Sequence, residues 1–134
     1  MKTISGYKIC IIGLGYVGLP LALEFSKKFK VIGFDLSLKR VNSLNNNIDD
    51  NAEINDDILN NNILFTNDSN KIKGCNVYII AVPTPIDSKN NPNINLLKKA
   101  CNLVGSLIKK NDIIIFESTV YPGCTRNDCV PILS

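Results

Sequence analysis

A short apolar strand that runs directly into three closely spaced glycines constrains this chain more than any other feature. The run Tyr7–Ile12 is rich in β-branched residues, which is typical of a strand buried on both faces of a parallel sheet. Gly13, Gly15 and Gly18 follow it, and apolar residues then recur at helical intervals. The pattern predicts a strand, a tight turn and a helix over Tyr16–Phe29.

The rest of the chain alternates strand-like and helix-like segments. Apolar, β-branched runs predict four further strands at Val31–Phe34, Ile63–Thr66, Asn76–Val82 and Asp112–Glu117. Apolar residues three and four positions apart predict helices at 38–44 and over Asn95–Lys109, and a capping box predicts another from Thr125. This alternation predicts an α/β fold, a Rossmann-type doubly wound parallel sheet in three layers (α/β/α), with strand order 3-2-1-4-5.

Size and composition favour one soluble domain. The chain has 134 residues, of which 45% are hydrophobic, so we expect a single domain over 1–134, the amino-terminal part of a longer protein. The 15 basic and 12 acidic residues are scattered along the sequence, which does not favour a nucleic acid partner. The uncharged run 9–23 is interrupted by glycines and is too short to span a bilayer, so we expect a cytoplasmic protein without membrane attachment.

The cysteines and the absence of histidine bear on metal chemistry. Five cysteines are an odd number, which fits a reducing compartment, and the sequence has no histidine, the commonest metal ligand. Cys124 and Cys129 lie close together, but no second pair of ligands accompanies them, so we expect no metal site. The segment 45–62 contains eight asparagines and four aspartates and predicts a loop, either a solvated surface segment or an insertion that binds a partner.

Each glycine of the motif has a separate physical role. Gly13 permits a tight turn, Gly15 lets the backbone approach a pyrophosphate, and Gly18 lets the helix pack closely on the strand. The amino terminus of the helix supplies unpaired N–H groups and positive potential, which favour an anion. The sequence therefore predicts that a dinucleotide diphosphate binds at the segment formed by Gly13, Leu14, Gly15, Tyr16, Val17 and Gly18.

Asp35 indicates which dinucleotide binds. It follows the second predicted strand, 22 residues after Gly13, where a carboxylate can accept hydrogen bonds from the adenosine ribose hydroxyls and repels a 2′-phosphate. We therefore expect NAD as the cofactor rather than NADP. Arg40 lies one turn further on, where its guanidinium could pair with a phosphate or stack on adenine.

Two further segments are predicted to reach the same cleft. Ligands of open α/β sheets bind where the strand order reverses, beyond the carboxyl ends of the strands. After the fourth strand come Val82, Pro83 and Thr84, and we expect them to contact the cofactor. After the fifth strand come Ser118 and Thr119, whose hydroxyls could face the nicotinamide.

Four stretches of the sequence together resemble the UDP-glucose/GDP-mannose dehydrogenase family: 12–22, 33–35, 82–85 and 117–125. The Leu-Pro-Leu-Ala and Tyr-Pro-Gly-Cys-Thr segments are most similar to the UDP-N-acetylhexosamine 6-dehydrogenases of surface-polysaccharide synthesis. The resemblance implies oxidation of a UDP-sugar C6 hydroxyl to a carboxylate through an aldehyde-level stage, with two NAD consumed. It also implies a homo-oligomeric full-length enzyme.

The resemblance assigns roles to individual residues. Thr119 matches a catalytic threonine that helps to orient water, Thr84 matches a cofactor contact, and Asp35 and Arg40 match adenosine-ribose contacts. The family's nucleophilic cysteine belongs to a distal domain, so none of the five cysteines here is expected to have that role.

Two alternatives to this enzyme class stay open at this stage. The first is a stand-alone NAD-binding or sensing module without catalytic activity. The second is a dehydrogenase of the β-hydroxyacid or 6-phosphogluconate type, which shares the fold and the glycine loop. The second alternative does not account for Val-Pro-Thr-Pro followed by Glu-Ser-Thr-Val-Tyr-Pro-Gly.

Overall fold

Five parallel strands form one sheet in the computed structural model of the chain, which describes residues 6–46, 63–83, 89 and 95–117. In chain order the elements are β1 (Lys8–Ile12), α1 (Gly18–Phe25), β2 (Lys30–Phe34), α2 (Leu38–Asn45), β3 (Leu64–Thr66), a 3₁₀ helix (Ser69–Ile72), β4 (Val77–Ile80), α3 (Asn95–Leu107) and β5 (Ile113–Phe116). The strand order β3-β2-β1-β4-β5 confirms the prediction. The order reverses between β1 and β4.

Helices cover both faces of the sheet, because successive side chains of each strand point to opposite sides. The central strand β1 pairs with β2 and β4, with Cys10 opposite Ile32 and Tyr78. On one face, Cys10 and Tyr78 pack in a core with α3. On the other face, Ile9 and Ile11 pack in a second core with α1 and α2. This three-layer arrangement confirms the predicted fold class, and no described helix has the length and apolar character needed to span a bilayer.

Six elements are shorter than the sequence predicts, and α1 and β4 differ most. The helix predicted over Tyr16–Phe29 spans only Gly18–Phe25, because residues 13–17 form the turn and the chain after Phe25 closes into i→i+3 bonds such as Lys28 N to Phe25 O (3.0 Å). β4 ends at Ile80 rather than Val82, since the neighbouring β1 turns away at Gly13. The last bond between these strands joins Ala81 N to Ile12 O at 2.8 Å.

A 3₁₀ helix that the sequence pattern does not predict lies between β3 and β4. Asp68 caps it, since its side chain accepts a hydrogen bond from Asn70 N at 2.9 Å. Ile72, at the end of this helix, is fully buried, and its carbonyl accepts a hydrogen bond from the Tyr78 hydroxyl at 3.2 Å. Burial raises the pKa of Tyr78 to about 12, so the phenol stays protonated at neutral pH and the hydrogen bond is kept.

Cys10, Cys75 and Cys101 are buried, and Cys10 and Cys75 are free thiols. A hydrogen bond with Cys75, together with burial, raises the pKa of Cys10 well above its ordinary value, which keeps this thiol protonated and unreactive. The loop predicted over 45–62 begins later, because Asn45 still belongs to α2. Residues 47–62, Cys124, Cys129 and the helix predicted from Thr125 lie outside the described residues.

Candidate functional site

A cleft of about 660 Å³ lies at the carboxyl edge of the sheet, at the point where the strand order reverses. The ends of β1, β2 and β4 and one side of α3 form its walls. Eight residues predicted from the sequence line this cleft: Gly13, Leu14, Gly15, Tyr16, Asp35, Arg40, Val82 and Pro83. The fold therefore brings together three segments that lie far apart in the sequence.

Gly13 and Gly18 are required by the packing of the turn. Gly13 has φ +98°, and a Cβ at this position would lie 2.9 Å from the backbone of Ala81. A Cβ on Gly18 would lie 1.6 Å from the carbonyl oxygen of Gly13, so only glycine lets α1 approach β1 this closely. Both positions have the geometry that the sequence predicts for them.

Gly15 differs from these two glycines because a Cβ there would meet no atom of the described residues within 4 Å. Steric contacts inside the protein therefore do not explain a glycine at this position, whereas the approach of a ligand to the backbone does. Among the described residues, no group accepts a hydrogen bond from the amides of Gly15, Tyr16 and Val17, although the amides of Gly13 and Leu14 are both bonded. The N-cap residue of α1, Val17, makes no side-chain capping bond.

These unbonded amides fit a dinucleotide diphosphate. The first turn of a helix carries N–H groups without intrahelical partners together with a partial positive charge, and an anion satisfies both. Because no side chain caps α1, the loop leaves this place open to a ligand. The described residues therefore fit the diphosphate of NAD.

Asp35 lies at the end of β2 and is half-buried. One carboxylate oxygen accepts a hydrogen bond from Leu14 N at 2.9 Å, and the other accepts one from Ser37 N at 2.8 Å. Each carboxylate oxygen can accept a second hydrogen bond, so both remain able to bind ribose hydroxyls. Asp35 thus stabilises the glycine turn through Leu14 N and can still accept hydrogen bonds from a ligand in the cleft.

Arg40 extends from α2 to the glycine turn. Its Nε donates a hydrogen bond to the carbonyl of Leu14 at 2.8 Å. α2 itself begins at a capped position, because Ser37 Oγ accepts a hydrogen bond from Arg40 N at 3.2 Å. The sequence predicts Arg40 as a cofactor contact, and the structure adds this bond to the loop.

Several residues that line the cleft were not predicted from the sequence. Ile12 and Phe34 are the last residues of β1 and β2, and Leu36 and Ser37 follow Asp35 directly. Leu36 is 54% exposed and adds apolar surface to the cleft. The other missed residues form one stripe on α3: Leu96, Lys99, Ala100 and Leu103. Their i, i+3, i+4, i+7 spacing places these four residues on one face of α3, and this is the sequence pattern from which they could have been predicted.

Several predicted residues are not placed at the cleft. Val17 and Gly18 do not line it, because Gly18 packs against Gly13 and Val17 lies at the start of α1 with 48% of its surface exposed. Thr84, Ser118 and Thr119 lie outside the described residues. The predicted role of Thr119 in catalysis and those of Thr84 and Ser118 in cofactor binding stay predictions.

A parallel sheet of order 3-2-1-4-5, with unbonded amides after β1 and a carboxylate after β2, defines a dinucleotide-binding domain of the dehydrogenase type. The sequence profile of the "UDP-glucose/GDP-mannose dehydrogenase family, NAD binding domain" matches residues 7–134. The chain therefore belongs to this family, and NAD is the cofactor of the matching domain.

Individual relatives agree with this assignment. The chain is 50% identical to a UDP-N-acetyl-D-glucosamine 6-dehydrogenase from Salmonella typhi, over 100% of this chain and 32% of that protein. It is 47% identical to a protein of the same name from Pseudomonas aeruginosa, over 94% of this chain and 30% of that protein. The chain thus spans about a third of the length of the curated relatives that it matches.

A solved structure confirms the fold. The chain superposes on a GDP-mannose dehydrogenase from Pseudomonas aeruginosa, crystallised as a ternary complex, with a TM-score of 0.86 and 26% identity. The match covers 94% of this chain and 31% of that protein.

Proposed function

We propose that this chain is the NAD-binding part of a UDP-sugar 6-dehydrogenase, with UDP-N-acetylglucosamine as the first substrate to test. Two relatives named UDP-N-acetyl-D-glucosamine 6-dehydrogenase are 50% and 47% identical to this chain. The observation that carries the proposal is the unbonded, uncapped amino terminus of α1 beside Asp35, in a sequence that matches the family over residues 7–134.

The proposed reaction oxidises the C6 hydroxyl of the sugar to a carboxylate in two stages. The alcohol first loses a hydride and a proton to reach the aldehyde level, and a second hydride loss with addition of water then gives the acid. Bound NAD supplies the hydride acceptor at each stage, so two NAD are consumed. The residues described here bind and orient the adenosine diphosphate half of the cofactor.

The most direct test measures NADH formation by the intact protein with a panel of UDP-sugars. We expect turnover with UDP-N-acetylglucosamine and two NADH for each sugar oxidised. Turnover of UDP-glucose alone would contradict the proposed substrate. Tight NADH binding without turnover of any UDP-sugar would instead support a binding or sensing module.

A second measurement tests cofactor choice. Calorimetric titration should show tighter binding of NADH than of NADPH, because a 2′-phosphate beside the Asp35 carboxylate experiences like-charge repulsion. Equal affinities would contradict the argument from Asp35.

The same proposal includes a cytoplasmic, homo-oligomeric protein that belongs to surface-polysaccharide synthesis and has neither a nucleic acid nor a membrane partner. Free, buried thiols at Cys10 and Cys75 are compatible with a reducing compartment. Light scattering of the intact protein tests the oligomeric state, and a monomer at all concentrations would contradict it. Cell fractionation tests the location.

A further inference from the structure

Leu14, the residue between the first two glycines, is fixed at three points. Its N–H donates to Asp35 Oδ2 at 2.9 Å, and its carbonyl accepts a hydrogen bond from Arg40 Nε at 2.8 Å. Its side chain is fully buried against β2, where a Cβ on Gly33 would lie 2.9 Å from Leu14 Cδ2. The conformation of the glycine turn is therefore set by the protein itself.

The two side chains that hold Leu14 belong to one short hydrogen-bonded segment, residues 35–40. Asp35 Oδ1 accepts from Ser37 N at 2.8 Å, and Ser37 Oγ accepts from Arg40 N at 3.2 Å. This segment fixes the start of α2 and thereby the place from which Arg40 reaches Leu14. Asp35 therefore accepts a hydrogen bond from the N–H of Leu14, and Arg40 donates one to the C=O of the same residue.

We propose that Arg40 is a positioning residue that holds the glycine turn ready for the diphosphate through its bond to the Leu14 carbonyl. The inference rests on the proposed NAD binding and goes beyond the adenosine-ribose contact that the family resemblance implies. The amides of Gly15, Tyr16 and Val17 follow Leu14 directly, so fixing Leu14 restricts the conformations of these donors before the ligand arrives. Ordering the turn in advance lowers the entropy lost on binding.

Two substitutions separate the hydrogen bond from the charge of Arg40. In Arg40→Gln, the side-chain Nε2 stands at the same bond count from Cα as the arginine Nε, so a donor to Leu14 O is kept while the charge is lost. Arg40→Met has a methyl group at that position, so it loses both the hydrogen-bond donor and the positive charge. The neighbouring exposed cation Lys39 does not line the cleft, so Lys39→Met controls for loss of a nearby positive charge.

The probes are ADP-ribose, which contains the diphosphate, and adenosine, which does not. In the intact protein, we expect Arg40→Met to bind ADP-ribose about fivefold more weakly than Arg40→Gln, the ratio that corresponds to one neutral hydrogen bond. The two variants should bind adenosine equally, and Lys39→Met should resemble the wild type. A purely structural loss would weaken binding of both ligands, so this pattern is specific to positioning of the turn.

Two results would overturn the proposal. Equal ADP-ribose affinities for Arg40→Met and Arg40→Gln would show that the hydrogen bond to Leu14 O does not contribute to binding. An equal difference on adenosine would show that the bond does not act through the diphosphate site.

A measurement on the ligand-free wild type needs no variant and holds even if Arg40→Met does not fold. The Arg40 Nε–H proton should exchange slowly with solvent in a nitrogen-15 spectrum, because it is hydrogen bonded in the absence of ligand. Rapid exchange would contradict a turn that is held in advance. Failure of the wild type to bind ADP-ribose would instead contradict the proposed function, so the two failures are distinguishable.

Discussion

The two walls of the cleft are built in different ways. The loop wall consists of Gly13–Tyr16 with Asp35, Ser37 and Arg40, and hydrogen bonds of 2.8 to 3.2 Å interlock it. The helix wall consists of Leu96, Lys99, Ala100 and Leu103 on α3, and it offers mainly packing surface with one ammonium group. Because hydrogen bonds are directional and apolar packing is not, the loop wall should tolerate little change and the helix wall considerably more.

The largest effect is expected for Gly18→Ala, at the start of α1 behind the loop wall. The added methyl group would lie 1.6 Å from the Gly13 carbonyl oxygen, so α1 must move away from β1. We expect a loss of about 3 kcal/mol or more in the free energy of unfolding, measured by urea denaturation. Gly74→Ala is the matched control, because a Cβ there meets nothing within 4 Å. Equal stabilities of the two variants would contradict the packing described for Gly18.

Gly15→Ala should separate binding from folding. The added methyl group meets no atom within 4 Å in the part of the chain that the structure describes, so the free energy of unfolding should change by less than about 1 kcal/mol. The same methyl group occupies the place that the diphosphate is predicted to approach, so NADH affinity should fall by about 30-fold or more. Calorimetry and urea denaturation on the same variant check both statements, and unchanged affinity would exclude close approach of the ligand to Gly15.

Asp35→Asn tests the double role of the carboxylate. The amide keeps one oxygen, so one of the two N–H groups that Asp35 now binds would face an NH₂ group instead. We expect NADH affinity to fall about tenfold and the preference for NADH over NADPH to shrink, since the negative charge is removed. Titration with both cofactors measures this change.

Glu24→Gln is the control for Asp35→Asn, because Glu24 is exposed, forms an ion pair with Lys27 and does not line the cleft. If Asp35→Asn retained the wild-type preference for NADH, the carboxylate would hold the turn without selecting the ribose.

The smallest effect is expected for Lys99→Met in the helix wall. Lys99 is exposed at the cleft, where water and salt screen its charge, so NADH affinity should fall only about two- to threefold. The loss should disappear at high salt. Its neighbour Lys98 is also exposed but does not line the cleft, so Lys98→Met should bind like the wild type. A tenfold loss of NADH affinity in Lys99→Met would show that the helix wall tolerates substitution as poorly as the loop wall.

Most of the fold follows from local sequence patterns. Buried β-branched runs and helical spacing predicted all five strands and the helices α1, α2 and α3, and their alternation, typical of a doubly wound sheet, predicted the strand order. The 3₁₀ helix at Ser69–Ile72 was missed because four residues carry too short a periodic signal. The ends of α1 and β4 were misplaced because neighbouring chain segments, rather than their own residues, determine where they stop.

Within the candidate site, the sequence by itself determined the features that depend only on a residue and its neighbours along the chain. Positive φ at Gly13, the acceptor at Asp35 and the spacing between them follow from residue type and order along the chain. Only the tertiary structure decided that Arg40 bonds to Leu14, 26 residues away, and that Lys99 faces the cleft. The physical reason is that such contacts depend on how α2 and α3 pack on the sheet, and packing is set by the whole core rather than by any one segment.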